Sequence, residues 1–156
     1  MRQTIKVLFI FSFTIFASPI LSAQGDEVDE IVEVLNEELR KGDHSGFAKK
    51  FMNSARNDRR FEGVDYNALE KKTVVVLGSA DVFGEYISDT IVRKEYCGNR
   101  IARVISTFFG NEGQYVIEYW FFKTEEKWGA TSFDLHGASN TGDFLNKLKK
   151  ILAVSC

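Results

Sequence analysis

The chain has 156 residues, with 20 lysines and arginines against 22 aspartates and glutamates, and a formal net charge of −2 at pH 7. A nucleic-acid-binding domain would show a basic excess gathered on one face, so this balance argues against that class. The length is that of one ordinary domain able to bury its own core, and no repeat, linker or low-complexity run divides the chain.

The amino end has the layout of a secretory signal peptide. Arg2 and Lys6 precede an uncharged apolar run over residues 7–21, and small residues then lead to Ala23. The run of about 15 residues is shorter than the roughly 20 of a bilayer span, with an uncleaved anchor as the alternative. We predict a signal peptide over residues 1–23 and a single exported domain over residues 24–156. The periplasm is favoured over full secretion, with no membrane span after cleavage.

Three helices are predicted before any strand. Over Asp26–Lys41 apolar residues recur at helical spacing between acids, and Gly42 ends the segment. Asp43 is a good N-cap for a second helix with an apolar stripe. Asp65–Gly78 fits a third helix, although the run Thr73–Leu77 has strand propensity and a short buried strand is the alternative.

Four stretches rich in aromatic and β-branched residues follow, separated by turn signals. Their bounds are about Val82–Tyr96, Arg100–Phe109, Gln114–Lys123 and Lys127–Leu135, the last closed by His136-Gly137. Short connections between long strands predict antiparallel hairpins. Asn140–Val154 then fits an amphipathic helix that packs back on the sheet. The predicted fold class is α+β: three N-terminal helices packed on a curved four-stranded antiparallel meander, with a C-terminal helix.

The third strand is largely apolar on both faces. Tyr115, Ile117, Tyr119 and Phe121 alternate with Val116, Glu118, Trp120 and Phe122. One face can pack on the helices, and the other needs a further cover. A homodimer partner bound through the sheet is the simplest cover, because an exposed apolar face of that size marks an interface.

The two cysteines, Cys97 and Cys156, are an even pair in a chain predicted to reach an oxidising compartment. A bridge between them would close a loop of about 60 residues, which the chain-entropy model values at roughly 4 kcal/mol. Two free thiols are the alternative, and the spacing leaves both open.

The aromatic hairpin resembles a known superfamily. Three helices precede a meander that carries Tyr-Trp-Phe-Phe-Lys at 119–123, then Trp128 and Phe133-Asp134. This order resembles small exported members of the nuclear transport factor 2-like superfamily, among them SnoaL-like and ketosteroid-isomerase-like proteins. The resemblance covers roughly Asp26 to Leu152 and implies a cone-shaped, cystatin-like fold. Because that superfamily holds enzymes and non-catalytic binding modules, fold alone implies no activity.

A catalytic member of that superfamily would hold an inward acid or histidine as general base. Glu118 lies in the aromatic third strand, where a carboxylate is out of character, and Asp134 and His136 leave the same face of the fourth strand. The alternatives are an ion-paired residue for Glu118 and a solvated strand end for the other two. The sequence shows no cofactor motif and no clustered metal-ligand spacing.

Aromatic residues outnumber recognisable catalytic groups, which is typical of pockets and interfaces. This favours an exported, non-catalytic binding module for an apolar or amphipathic small ligand, or for a protein partner. Tyr119, Trp120, Trp128 and Phe133 are the residues expected to contact the ligand. The alternatives are a SnoaL- or ketosteroid-isomerase-type enzyme acting on a small molecule, and a structural or assembly subunit of the cell envelope.

Overall fold

The computed structural model describes residues 20–55 and 63–155, in which helices come first, a sheet follows and a helix closes the chain. The order of elements predicted from the sequence is confirmed. The elements are α1 (Ile20–Arg40), α2 (His44–Ala55), α3 (Tyr66–Gly78), a 3₁₀ helix (Ser79–Phe83), β1 (Tyr86–Cys97), β2 (Ile101–Gly110), β3 (Gln114–Lys123), β4 (Trp128–Ala138) and α4 (Thr141–Ala153).

Helix α1 is longer than predicted, because it begins at Ile20 instead of Asp26. It therefore runs across the predicted cleavage position after Ala23. Residues 1–19 of the predicted signal peptide lie outside the described residues, so cleavage stays a prediction. In the described part of the chain, no helix combines the length and the apolar character needed to cross a membrane.

The third segment is a helix and not the alternative strand. The Asp65 carboxylate caps α3 by accepting hydrogen bonds from the amides two and three residues further on, at 3.0 and 3.1 Å. Thr73 and Leu77, one helical turn apart, are both buried. The cap and this buried pair outweigh the strand propensity of the valines between them.

Strand β1 begins later than predicted. Val82, the expected start, falls in the 3₁₀ helix Ser79–Phe83, and the strand starts at Tyr86. Gly84 lies between the two elements with a φ of 77°, and a side chain there would collide with Asn111. The Asn111 side chain accepts a hydrogen bond from the amide that follows Gly84, at 3.0 Å. The start of β1 therefore depends on Asn111, which lies 26 residues further along the chain than the amide it binds.

Strand β4 ends later than predicted. It continues past Leu135 to Ala138, through the predicted turn at His136-Gly137, because both of those residues pair with β3. A side chain at Gly137 would collide with the ring of Phe83. The glycine therefore permits a close approach inside the strand and does not form a turn.

The sheet has the order β1-β2-β3-β4, and each neighbouring pair is antiparallel, as the meander prediction requires. The register is irregular in β1 between Tyr86 and Ser88 and between Ile91 and Arg93, and in the β3–β4 pair beside Trp120. Such bulges bend strands and increase their twist, which is how a sheet acquires curvature.

Helices cover both faces of the sheet. The first three pack on one face, where the main core includes Val32, Leu35, Phe47, Leu77, Phe108, Ile117, Tyr119 and Phe121. Helix α4 packs on the other face, over a smaller cluster of Ile105, Val116, Ala138, Phe144 and Ile151. The chain's own closing helix thus supplies part of the cover that a homodimer partner is expected to provide, and the dimer stays a prediction.

Candidate functional site

A cavity of about 380 Å³ opens at the end of the sheet where β1 begins and β2 ends. Its floor consists of buried core residues from four elements: Leu39, Ala80, Phe83, Phe108 and Tyr115. Its rim includes Arg40, Lys41, His44, Asp81, Glu85 and Tyr86. An apolar floor below a few convergent polar groups is the usual construction of a small-ligand site.

Three aromatic rings form most of the floor. The Tyr115 ring stacks on Phe108 with centroids 5.0 Å apart and planes 2° apart, and Phe83 lies 5.5 Å from Tyr115 at 33°. Tyr115 is 9% exposed, and its hydroxyl makes no hydrogen bond with the described residues. Burial raises the pKa of this hydroxyl, and the carboxylates of Asp89 and Asp81 raise it further. The floor therefore carries a protonated hydroxyl that is available to a ligand.

A hydrogen-bonded cluster ties α1 to β1 beside the cavity. Arg40 donates to both oxygens of Asp89, at 2.8 and 2.9 Å, and to Glu33 on its other side. The Tyr86 hydroxyl donates to Asp89 at 2.6 Å. The bond from Arg40 lowers the pKa of Asp89 against the opposing effect of burial, and Tyr86 lowers it further. The bonds to Asp89 in turn raise the pKa values of Arg40 and Tyr86.

The turn between α1 and α2 places His44 beside the 3₁₀ helix. Helix α1 ends at Arg40 and α2 begins at His44, and Gly42 between them has a φ of 66°, which glycine adopts without strain. The His44 side chain is only 16% exposed, and its Nε2 lies 3.4 Å from Oδ1 of Asp81 in the 3₁₀ helix. A short turn with a left-handed glycine therefore places His44 on the rim beside Asp81.

The three candidate catalytic residues lie near one another but outside this cavity. Glu118 is buried, and its Oε1 lies 2.7 Å from Nε of Arg103. His136 Nε2 lies 4.0 Å from Glu118 Oε2. Asp134 is exposed and pairs with Glu118 across the β3–β4 ladder. Side chains of residues paired in this way share a face, and here it is the face that α4 covers.

Two of the aromatic residues predicted to contact a ligand lie on opposite faces of β3, as alternation along a strand requires. Tyr119 is fully buried in the main core and donates its hydroxyl to Asn36 Oδ1 at 2.7 Å. The Trp120 ring lies 5.4 Å below the guanidinium of Arg103 on the α4 face. Neither lines the cavity described above.

The other two aromatic residues belong to β4 and are also apart. Trp128 is buried at the start of the strand, and its indole nitrogen has no hydrogen-bond partner among the described residues. Phe133 contacts Phe47 and Phe51 edge to face. It lines a second, apolar cavity of about 230 Å³ between α2, α3 and β4. The four predicted contact residues therefore do not form one site.

Cys97, at the end of β1, takes part in a disulfide bond. Its predicted partner, Cys156, lies outside the described residues, so the pairing itself stays a prediction. In residues 20–55 and 63–155, no three side chains of histidine, cysteine, aspartate or glutamate are grouped as a metal site would require.

Sequence reasoning does not single out the residues that build the cavity. Asp89 has the same feature that makes Glu118 a candidate: it is a carboxylate within a predicted strand, here one rich in β-branched residues. Tyr115 shares its strand face with Tyr119, which places it toward the helices. No local signal, however, joins Arg40 to Asp89, which is 49 residues away.

The fold is similar to that of a solved structure. A crystal structure of a domain of unknown function with a cystatin-like fold, from Nostoc punctiforme PCC 73102, matches with a TM-score of 0.52 and 10% identity, over 86% of this chain and 89% of that one. No protein-family model and no curated protein matches the chain. A likeness at this identity shows the fold alone. The chain therefore has an α+β, cystatin-like fold, which is compatible with the nuclear transport factor 2-like superfamily.

Proposed function

We propose that the protein is an exported, non-catalytic module that binds an apolar or amphipathic small ligand in the cavity above Tyr115. The observation that carries this proposal is the cavity of about 380 Å³ with an aromatic floor and a polar rim. Apolar walls supply affinity and a few polar groups orient the ligand. Export is inferred from residues 1–23 of the sequence.

The cavity is built on rigid parts of the fold. Phe108 and Phe83 are 1% and 7% exposed and belong to the main core. Arg40 and Asp89 hold α1 and β1 together beside the opening. A site that is already ordered loses little conformational entropy when a ligand enters, which favours binding.

The alternative enzyme gains no support from the geometry of its candidate residues. Glu118 is engaged by Arg103, Asp134 is exposed, and neither lines the cavity. The alternative envelope subunit, and a homodimer through the sheet, would use the second sheet face. Helix α4 covers part of that face.

Binding can be tested with N-phenyl-1-naphthylamine, which is uncharged at neutral pH and fluoresces in apolar surroundings. The protein is expressed from its full-length sequence, and the form that remains after processing by the cell is purified. The variant Ala80→Leu places a larger side chain in the floor, and we expect the Kd to rise by about fivefold, or about 1 kcal/mol.

A matched control separates this cavity from the second one. Ala55→Leu makes the same change in the apolar cavity beside Phe133, and it should leave the Kd within about twofold. Backbone amide shifts on titration should move at Phe83 and Tyr86 and remain unchanged at Tyr66. Equal effects of the two variants, or shifts confined to the second cavity, would contradict the proposed site.

A further inference from the structure

Each basic side chain on the rim already has a carboxylate partner. Arg40 is held between Asp89 and Glu33. Lys41 Nζ lies 2.7 Å from Glu37 and 3.3 Å from Glu38. His44 is in contact with Asp81 at 3.4 Å. A carboxylate or phosphate entering the cavity would have to compete with these partners.

Counted together with their ion-pair partners, the charged residues of the rim carry an excess of carboxylates. Asp81 has a side chain that is 71% exposed, and its partner His44 is charged only when protonated. Glu85 also lines the cavity and makes no ion pair with the described residues. The rim and its ion-pair partners contain three cations against six carboxylates: Arg40, Lys41 and Lys50 against Glu33, Glu37, Glu38, Asp81, Glu85 and Asp89.

Two of these carboxylates also act on Tyr115 in the floor. After burial, the carboxylates of Asp89 and Asp81 are the next largest causes of the raised pKa of the Tyr115 hydroxyl. These two carboxylates therefore disfavour a negative charge on the Tyr115 oxygen.

The floor itself suits the ring system of an organic ligand. Phe83, Phe108 and Tyr115 supply an apolar aromatic surface against which such a ring system can pack. Tyr115 as a residue is 9% exposed, and its hydroxyl has no hydrogen bond with the described residues. A hydroxyl oxygen can accept a hydrogen bond from an ammonium group as well as donate one.

We infer that the ligand is an organic cation, an amine with an aromatic or alicyclic body. Its body lies on the rings of the floor and its ammonium group meets the acidic rim, defined as Asp81 and Glu85. This inference rests on the proposed binding function and adds the charge class of the ligand.

Three probes with one ring system test the charge class: 1-naphthylmethylamine, 1-naphthylmethanol and 1-naphthylacetic acid. Their Kd values are measured by calorimetry on the full chain as the cell processes it, at low and at high salt. We expect the amine to bind about fivefold more tightly than the alcohol and about tenfold more tightly than the acid. The advantage of the amine should shrink at high salt, because the rim carboxylates are exposed and therefore screened.

Variants locate the effect on the rim. Asp81→Asn with Glu85→Gln should weaken amine binding by about fivefold and leave the alcohol unchanged. Both side chains are exposed, so the fold should not be affected, and a thermal melt checks this. The control Glu126→Gln removes one exposed acid from the β3–β4 turn, at the opposite end of the sheet, and should leave all three affinities unchanged.

The outcomes separate the two proposals. If the amine binds more tightly than the alcohol and the acid, and loses this advantage in the variant Asp81→Asn with Glu85→Gln, the inference is supported. If the alcohol or the acid binds as tightly as the amine, the charge class is wrong while the binding function stands. If none of the three probes binds, the binding function fails and the inference fails with it.

Discussion

Substituting Arg103, the buried arginine beneath α4, tests how the closing helix is held on the sheet. Arg103 is 2% exposed, and its Nε lies 2.7 Å from Oε1 of Glu118. The same guanidinium donates to the backbone carbonyls of Ile151, at 2.8 Å, and of Val154, at the end of α4. Burial, the largest single cause, acts to lower the pKa of Arg103, but the hydrogen bonds and charges of Glu118 and Glu95 together outweigh it and the pKa is raised. Arg103 therefore joins β2, β3 and α4 as a charged group.

The variant Arg103→Met removes the charge while keeping an apolar stem. Glu118 is then left 8% exposed without its main partner, and removing one member of a buried pair costs about 3–5 kcal/mol. The double variant Arg103→Met/Glu118→Leu removes the buried carboxylate together with its partner, while Glu95 keeps its ion pair with Arg93, and we expect it to recover about 2 kcal/mol of that loss. The remaining loss reflects the missing hydrogen bonds to the end of α4.

Urea unfolding followed by circular dichroism measures the four members of this double-mutant cycle. Amide exchange in α4, which should accelerate more than exchange in α1 in the single variant, provides a second readout. A loss below about 1 kcal/mol in Arg103→Met, or a double variant whose loss equals the sum of the two single losses, would refute the reasoning.

Three further predictions concern individual hydrogen bonds. Arg40 lowers the pKa of Asp89 below its unfolded value of about 3.9, so the stabilisation it provides is complete above about pH 5 and is lost as pH falls through the folded value. The stability difference between wild type and Asp89→Asn in urea should therefore narrow as the pH falls below about 5. Tyr119→Phe leaves Asn36 Oδ1 without its bond inside the core and should cost about 1–3 kcal/mol in the same assay. Asp65→Ala removes the cap of α3 and should cost about 1 kcal/mol of unfolding free energy, where an unchanged urea midpoint would contradict the capping role.

The helices were predictable because their signals are local. The spacing of Val28, Val32, Leu35 and Leu39 repeats at helical intervals, and all four are buried in α1. Asp65 marks the start of α3 through its own side chain. Where a signal depends on distant residues, prediction was wrong: Asn111 decides where β1 begins, and the Phe83 ring requires a glycine at 137 inside β4.

The candidate site shows the same division more sharply. Glu118 is conspicuous in the sequence as a carboxylate among aromatic residues, but its role depends on Arg103, which lies opposite Trp120 in the β2–β3 register. Register cannot be obtained from composition, since it is set by how whole strands pair. The cavity likewise needs the end of α1, the 3₁₀ helix and three strands to meet at one place.

The amino-acid sequence alone indicated that helices come first, that four antiparallel strands follow them, and that the class is α+β, because apolar periodicity and turn chemistry act within a few residues. Only the tertiary structure decided which side chains meet. Arg40 reaches Asp89 and Arg103 reaches Glu118 because sheet register and helix packing bring together groups that are far apart along the chain.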